Sequence, residues 1–174
     1  MASTTHTRPM DPRTHEALDA MLAHLHAQIA RSVDQHGWTI VVHPADPDRM
    51  EPSFAYTVGL AEKGLAEVLV YGLDADSAHL ALDRVARRLL GDARRQPATG
   101  ERFRLAGDVD AVLRPVPRHR VQPLMPAAVA RLGCAVPAWQ LVWADEEGRF
   151  PWNAGFNPDY VACQTPMYAS AGRG

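Results

Sequence analysis

Residues 140–152 read QLVWADEEGRFPW, and this stretch predicts a strand that ends in a corner of the fold. The apolar run up to Trp143 alternates at the period of a strand. An acidic turn begins at Asp145, after which Phe150 and Trp152 stand on either side of a proline. Aromatic rings beside a few polar side chains are typical of a binding pocket, whereas rings alone commonly fill a core. Both interpretations of the corner stay open at the level of sequence.

A second stretch with an unusual pattern, FAYTVGL, occupies residues 54–60. Its alternation predicts a strand with large side chains such as Tyr56 on one face. The other face carries only the small residues Ala55, Thr57 and Gly59. Such a face allows the close approach of a packed helix or of a ligand, and the helix is the commoner case. If the sheet brings this strand beside the corner, the two stretches form one cleft.

The spacing of apolar residues predicts the remaining elements. Helical spacing indicates two main helices, over about 14–36 and 77–91, and Asp76 or Ser77 caps the second. The apolar face of the first helix is expected to lie on the sheet. A short third helix is predicted over 126–132. The predicted strands are 38–43, 54–60, 65–73, 102–105, 109–116 and 138–144.

The order of these elements predicts an α+β fold, with two main helices packed on a mainly antiparallel sheet of five to six strands. No glycine-rich phosphate loop follows a strand, so a nucleotide site of the Rossmann or P-loop type is not expected. We place a single α+β domain over residues 13–168. Residues 1–12 are expected to form a disordered arm, and residues 169–174 a flexible tail.

The composition is that of a soluble globular protein, with 47% hydrophobic and 22% charged residues. The net charge of −2 gives no overall attraction to nucleic acid or membrane. Arginines outnumber acidic residues ten to four between residues 84 and 120, but the interleaved aromatic residues of single-strand binders are missing there. No apolar run could span a membrane, and residues 1–13 lack the apolar core of a secretory signal. We therefore expect a cytoplasmic protein without membrane or nucleic-acid partners.

The histidines and cysteines do not predict a metal site. His24 and His26 are two residues apart on a helix and so point to different faces, whereas zinc needs three or four converging ligands. Cys134 and Cys163 form no CxxC pair, which favours a reducing compartment. No local pattern marks Cys163 as a nucleophile. We expect no metal, and the identity of any cofactor stays unknown.

Several pieces of the sequence together resemble one known family. The pieces are Gly37-Trp38, FAYTVGL, EVLVYGL at 67–73, and QLVWADEEGRFPW followed by Gly155-Phe156. They are similar to the bacterial family of domains of unknown function 4262 over about residues 26–167. The chain departs from that family at Leu65-Ala66, where the family has His-Pro, and at Ala144, where it has proline. The resemblance implies a fold unit and a set of matching positions, and no activity. The positions are Tyr56, Thr57, Gly59, Glu67, Gln140, Trp143, Asp145, Arg149, Phe150 and Trp152.

Two functions of different classes follow from these observations. The first is a small-molecule cleft, with catalysis left open, between the YTVGL strand and the corner. In this cleft Glu67 or Asp145 supplies acid–base chemistry, Arg149 holds an anionic group and Tyr56 donates a hydrogen bond. The expected ligand-binding residues are Tyr56, Thr57, Gln140, Trp143, Arg149, Phe150 and Trp152.

The second function is a non-catalytic interaction or regulatory module. Here Phe150, Trp152 and Phe156 form an exposed aromatic surface for a partner. We favour the small-molecule cleft, because buried strands that lead into a polar turn suit a concave site. Formation of a homo-oligomer is left open.

Overall fold

A computed structural model describes residues 12–92 and 96–168 of the chain. The helices are α1 (Pro12–His36), α2 (Ala75–Gly91), α3 (Arg118–Leu124) and α4 (Pro126–Leu132). The strands are β1 (Thr39–His43), β2 (Phe54–Val58), β3 (Glu67–Tyr71), β4 (Arg102–Arg104), β5 (Asp110–Val116) and β6 (Ala138–Trp143). The predicted arm at 1–12 and tail at 169–174 lie outside the described residues, apart from Pro12 at the start of α1.

The six strands form one sheet in the order β1-β2-β3-β6-β5-β4. Every neighbouring pair is antiparallel except β3 and β6, which run parallel. β6, the last strand of the described residues, therefore lies in the middle of the sheet. The prediction of an α+β fold with a mainly antiparallel sheet is confirmed.

Helices cover both faces of the sheet. On one face α2 buries Leu82, Val85 and Leu89 in the same cluster as Val68 and Val70 of β3. On the other face, the end of α1 packs with α3 and α4 over the remaining side chains of the strands. The second cluster contains Val33, Val121, Met125, Ala128, Tyr56, Val58 and Leu69. The alternation of the strands produces this division, because neighbouring side chains point to opposite faces.

Among the described side chains of α1, those that belong to the core lie near the end of the helix. Ile29 and Val33 belong to the core, but Met21, Leu22 and Leu25 are 62%, 42% and 43% exposed. The expectation that the whole apolar face packs on the sheet is wrong. A helix of 25 residues is about 37 Å long, whereas a five-residue strand is only about 17 Å long, so α1 extends past the sheet.

Two local predictions also need correction. Asp74 caps α2, because its side chain accepts a hydrogen bond from the Ser77 N–H at 3.0 Å, so neither Asp76 nor Ser77 is the cap. The helix α3 was not predicted, since Pro123 lies inside it and its apolar period is weak. The helix predicted over 126–132 is α4 and is confirmed.

Candidate functional site

The structure does not bring the two predicted halves of the cleft together. Glu67 pairs with Ala138 at the start of the parallel strands, while Asp145 lies beyond the far end of β6. Seven residues of extended chain span about 23 Å, so the two carboxylates lie at opposite ends of the sheet. Tyr56, Thr57 and Glu67 are also buried, so the space beside them is filled. The structure therefore places the YTVGL strand and the corner in two separate regions and not in one cleft.

The region around Glu67 is a closed network of hydrogen bonds. Glu67 Oε2 accepts from the Thr57 hydroxyl at 2.6 Å. Its Oε1 accepts from the backbone N–H groups of Gly59 at 2.8 Å and Ala61 at 3.0 Å. Thr57 Oγ1 accepts in turn from the Val68 N–H at 2.9 Å. These bonds tie the turn after β2 to the start of β3, which is a structural role.

The pKa of Glu67 is raised to about 7, chiefly because burial disfavours the ionised form. Hydrogen bonds from the Thr57 hydroxyl and from the N–H groups of Ala61, Gly59 and Leu60 act in the opposite direction. A pKa near neutrality suits a general acid or base. The carboxyl is nevertheless closed off from solvent, with only 1% of the residue exposed.

The small face of FAYTVGL is occupied by the protein itself. Gly59 has a φ of +108°, and a Cβ at this position would lie 2.9 Å from Val33 Cγ1 and 3.0 Å from the Gly37 carbonyl oxygen. The end of α1 and the turn after it therefore approach the backbone directly. Ala55, within β2 itself, packs in the cluster that contains α2, whereas Gly59 follows the end of the strand. Of the two interpretations of this strand, the packed helix accounts for its small residues.

Tyr56, the remaining predicted site residue of this region, belongs to a stack of rings on β1, β2 and β3. The rings of Tyr56, Phe54 and His43 lie 4.3–6.0 Å apart between centroids and within 18° of parallel. Burial raises the pKa of Tyr56 to about 12, so its hydroxyl stays protonated at neutral pH. The hydroxyl lies inside the core that α4 covers and does not border the corner.

Within β6, Gln140 in the middle and Trp143 at the end hold the C-terminal segment of the described chain against the strand. The Gln140 amide donates to the Thr165 carbonyl at 2.9 Å and accepts from the Met167 N–H at 2.7 Å. The Gln164 side chain bonds both the N–H and the carbonyl of Trp143, as a neighbouring strand would do. Both predicted residues thus position the segment that borders the corner.

Asp145 organises the acidic turn after β6. Its Oδ1 accepts from the N–H groups of Glu147 at 3.0 Å and Arg149 at 2.8 Å. Its Oδ2 accepts from Arg149 Nε and from the Asn157 N–H, both at 3.0 Å. A carboxylate offers about four acceptor positions, so all of them are occupied by the turn itself.

The charge of Asp145 is stabilised by these donors. Burial acts to raise its pKa, but hydrogen bonds from the backbone and side chain of Arg149, then from the N–H groups of Asn157 and Glu147, outweigh burial. The pKa of Asp145 therefore lies below its usual value. Arg149 was expected to hold an anionic ligand, but its Nε pairs with Asp145 and its Nη1 lies 2.9 Å from Glu147 Oε2. Its charge is balanced within the turn.

The aromatic residues of the corner do not form one exposed surface. Phe150 and Phe156 are buried, and only Trp152 is substantially exposed, at 45%. Trp152 stacks on Phe150 with 5.1 Å between ring centroids and an interplanar angle of 5°. The expected patch of three exposed rings is therefore wrong, because the turn folds two of the rings into the protein.

Trp143 and Asp145 border a small cavity of about 210 Å³ beside the start of α2. The Trp143 ring meets the Tyr160 ring edge-on at 5.0 Å. The Tyr160 hydroxyl donates to Glu146, a bond that lowers the pKa of that carboxyl. Most of the cavity wall is apolar, and the carboxylates of Asp145 and Glu146 already accept hydrogen bonds from the protein.

A larger cleft, of about 530 Å³, lies under the Pro151-Trp152 corner. We call it the corner cleft, and its lining residues are Arg114, Pro151, Trp152, Val161, Gln164, Pro166 and Tyr168. The Arg114 guanidinium lies over the rings of Trp152 and Tyr168, at 4.7 Å and 5.3 Å from their centroids. Of the predicted site residues, only Trp152 lines this cleft.

Arg114 is the residue of the cleft that the sequence could have indicated. It follows Leu113 within the apolar strand DAVLRPV, where a charged side chain on the inner face needs an explanation. Tyr168 and Gln164 carried no such signal, since each reaches the cleft through an irregular segment. Within residues 12–92 and 96–168, no three His, Cys, Asp or Glu side chains converge as metal ligands. No helix in the same ranges has the length and apolar character to cross a membrane.

Comparison with known proteins identifies one family. The family model described as a domain of unknown function (DUF4262) matches residues 32–157, well over half of the chain. No curated protein and no solved structure matches the chain. The match covers the six strands and the acidic turn, so both carboxylate networks lie within the family unit.

Proposed function

The chain belongs to the family of DUF4262 domains, whose name states that its function is unknown, and we propose that it binds a small molecule in the corner cleft. In this proposal Trp152 and Tyr168 form the walls of the binding site, and Gln140 and Gln164 hold the segment that closes it. The turn around Asp145 serves as the rigid support of Trp152.

The size and lining of the corner cleft support this proposal. A volume of about 530 Å³ falls within the range of about 300–1,000 Å³ that is usual for ligand sites. Rings and prolines form most of its wall, and Arg114 adds a fixed polar group. The observation that carries the proposal is the exposure of Trp152 on this wall, because Phe150 beside it is fully packed.

Binding is better supported than acid–base catalysis. Glu67 has a pKa near 7 but lies at the other end of the sheet, closed off from solvent. Asp145 is near the cleft, but its acceptor positions are all used. Catalytic roles for these two residues stay predictions, and neither is needed for the proposed binding.

Native mass spectrometry of the full chain tests the proposal. We expect a co-purifying small molecule on the unmodified protein, and its loss from Trp152→Ala. Met50→Ala is the matched control, since it also removes a large exposed apolar side chain, 90% exposed and on a different loop. Retention of the bound species by Trp152→Ala, or its loss from both variants, contradicts binding in the corner cleft. The proposal is rejected altogether if no bound species is found and if the NMR signal of the Trp152 indole N–H does not respond to a library of small organic molecules.

A further inference from the structure

Arg114 differs from the other stacked arginine of the described chain in having no anionic partner. Arg88 lies over the Phe103 ring at 4.9 Å and also pairs with Glu101 at 3.4 Å. Arg114 lies over two rings, but it makes no ion pair and no side-chain hydrogen bond within the described residues. Its Nε is enclosed and has no acceptor. A guanidinium presents five N–H donors, and those of Arg114 have no acceptor among the described residues.

The other lining residues of the corner cleft do not neutralise the charge of Arg114. None of its lining residues is acidic, and Arg114 is the one basic side chain among them. The Gln164 amide is used by the backbone of Trp143 on both its oxygen and its nitrogen. The Tyr168 hydroxyl donates to no atom of the described protein, and burial raises its pKa, so it remains a neutral donor. One cation and one free hydroxyl therefore face an otherwise apolar site.

We propose that the corner cleft takes a small molecule with one carboxylate and an apolar body. Arg114 pairs with the carboxylate, the Tyr168 hydroxyl donates a second hydrogen bond, and the apolar body lies against Trp152 and the prolines. A planar guanidinium matches a carboxylate through two parallel N–H···O bonds. A single positive charge balances a monoanion, which favours a carboxylate over a phosphate dianion. This inference rests on the proposed binding function and names its ligand class.

The test compares pairs of probes that differ only in charge. Benzoate and benzamide, and hexanoate and hexanamide, are titrated into the full chain while the Trp152 indole N–H is followed by NMR, after assignment with Trp152→Phe. We expect each carboxylate to bind at least about 10-fold more tightly than its amide, the size of one charge-assisted hydrogen bond. Because this comparison needs no change at Arg114, it holds even if a variant there is unstable.

Two arginine variants then locate the charge. Arg114→Gln is expected to remove the preference for the carboxylates, while Arg88→Gln, which also removes an arginine that stacks on a ring, leaves it unchanged. Equal binding of acids and amides, or a carboxylate preference that survives Arg114→Gln, overturns the ligand class while binding at the corner cleft stands. A stronger response to inorganic phosphate than to any carboxylate also overturns it. No binding of any probe overturns the ligand class as well, and the native mass spectrum then decides on the binding function separately.

Discussion

The two ends of the sheet each bury a carboxylate, and the two carboxylates are shifted in opposite directions. Glu67 lies in the core between two strands, where burial raises its pKa to about 7 although hydrogen bonds from neutral donors act in the opposite direction. Asp145 lies within a surface turn, where four hydrogen bonds from the turn, one from a guanidinium, lower its pKa. The fold favours the protonated form at one end and the ionised form at the other.

This difference teaches that burial alone does not decide the state of a carboxyl group. At Glu67 all of the donors are neutral, so the cost of removing the charge from water dominates. At Asp145 a cation and three backbone N–H groups offset that cost. Both groups hold turns together, and neither borders the corner cleft. Three predictions test this comparison.

The largest effect is expected from the titration of Glu67. Its pKa is raised in the folded state, so the stability of the fold is highest when the group is protonated, below about pH 4.5. That stability is lost as the pH rises through about 7, by about 3 kcal/mol in total. In Glu67→Gln the group cannot titrate. Urea unfolding of both proteins from pH 4.5 to 8 should show that the wild type loses about 3 kcal/mol relative to the variant.

Parallel curves for the two proteins contradict the raised pKa. A wild type that gains stability relative to Glu67→Gln as the pH rises contradicts its direction.

The glycines of the two regions should differ as well. Gly59→Ala places a Cβ against Val33 and the Gly37 carbonyl, in addition to the strain of its positive φ, and we expect a loss of about 2 kcal/mol. Gly148→Ala in the acidic turn is the matched control, with a φ of +76° and no atom within 4 Å of its Cβ. Strain alone should cost about 1 kcal/mol there. Urea unfolding at one pH measures both, and equal losses would show that close packing at Gly59 is relaxed by movement of α1.

The smallest effect is expected from Asp145→Asn. The amide retains one oxygen for the backbone N–H groups but loses the acceptor for Arg149 Nε and the Asn157 N–H. At pH 7 we expect a Tm about 4 °C lower than that of the wild type, measured by scanning calorimetry. The pKa of Asp145 is lowered, so its contribution is present above the unfolded pKa and is lost as the pH falls through the folded one.

The gap in Tm between wild type and Asp145→Asn should therefore close in acid. A gap that widens below pH 4 contradicts this account. Glu147→Gln is the control, because that carboxylate is exposed and pairs with Arg149 only at the surface.

Much of the fold was predictable from local patterns. The alternation of Trp139, Leu141 and Trp143 assigns one face of β6, and these three side chains pack in the cluster under α2. The helix over 126–132 begins with a proline and ends before a glycine of positive φ, both of which are local signals. The helix α3 escaped prediction because Pro123 lies inside it and its apolar period is weak.

The candidate site was much less predictable. The sequence indicated Trp152, and it predicted an anion-binding role for Arg149, which pairs with Asp145 and Glu147 in the structure. It did not indicate Arg114, for which that role is proposed above. Arg149 lies close to acidic residues in sequence, and those residues balance its charge. Arg114 is separated from Trp152 by the whole of α3, α4 and β6, so no local pattern connects the two.

By itself, the sequence determined the periods of the strands and the acidic turn that begins at Asp145. These depend on side-chain spacing and backbone conformation, which act over a few residues. Only the tertiary structure decided that β6 enters the sheet parallel to β3, which separates Glu67 from Asp145 by the length of a strand. It also decided that Arg114, which has no anionic partner among the described residues, meets Trp152 and Tyr168. Which distant strands pair depends on the packing of the whole core, and every element contributes contacts to that packing.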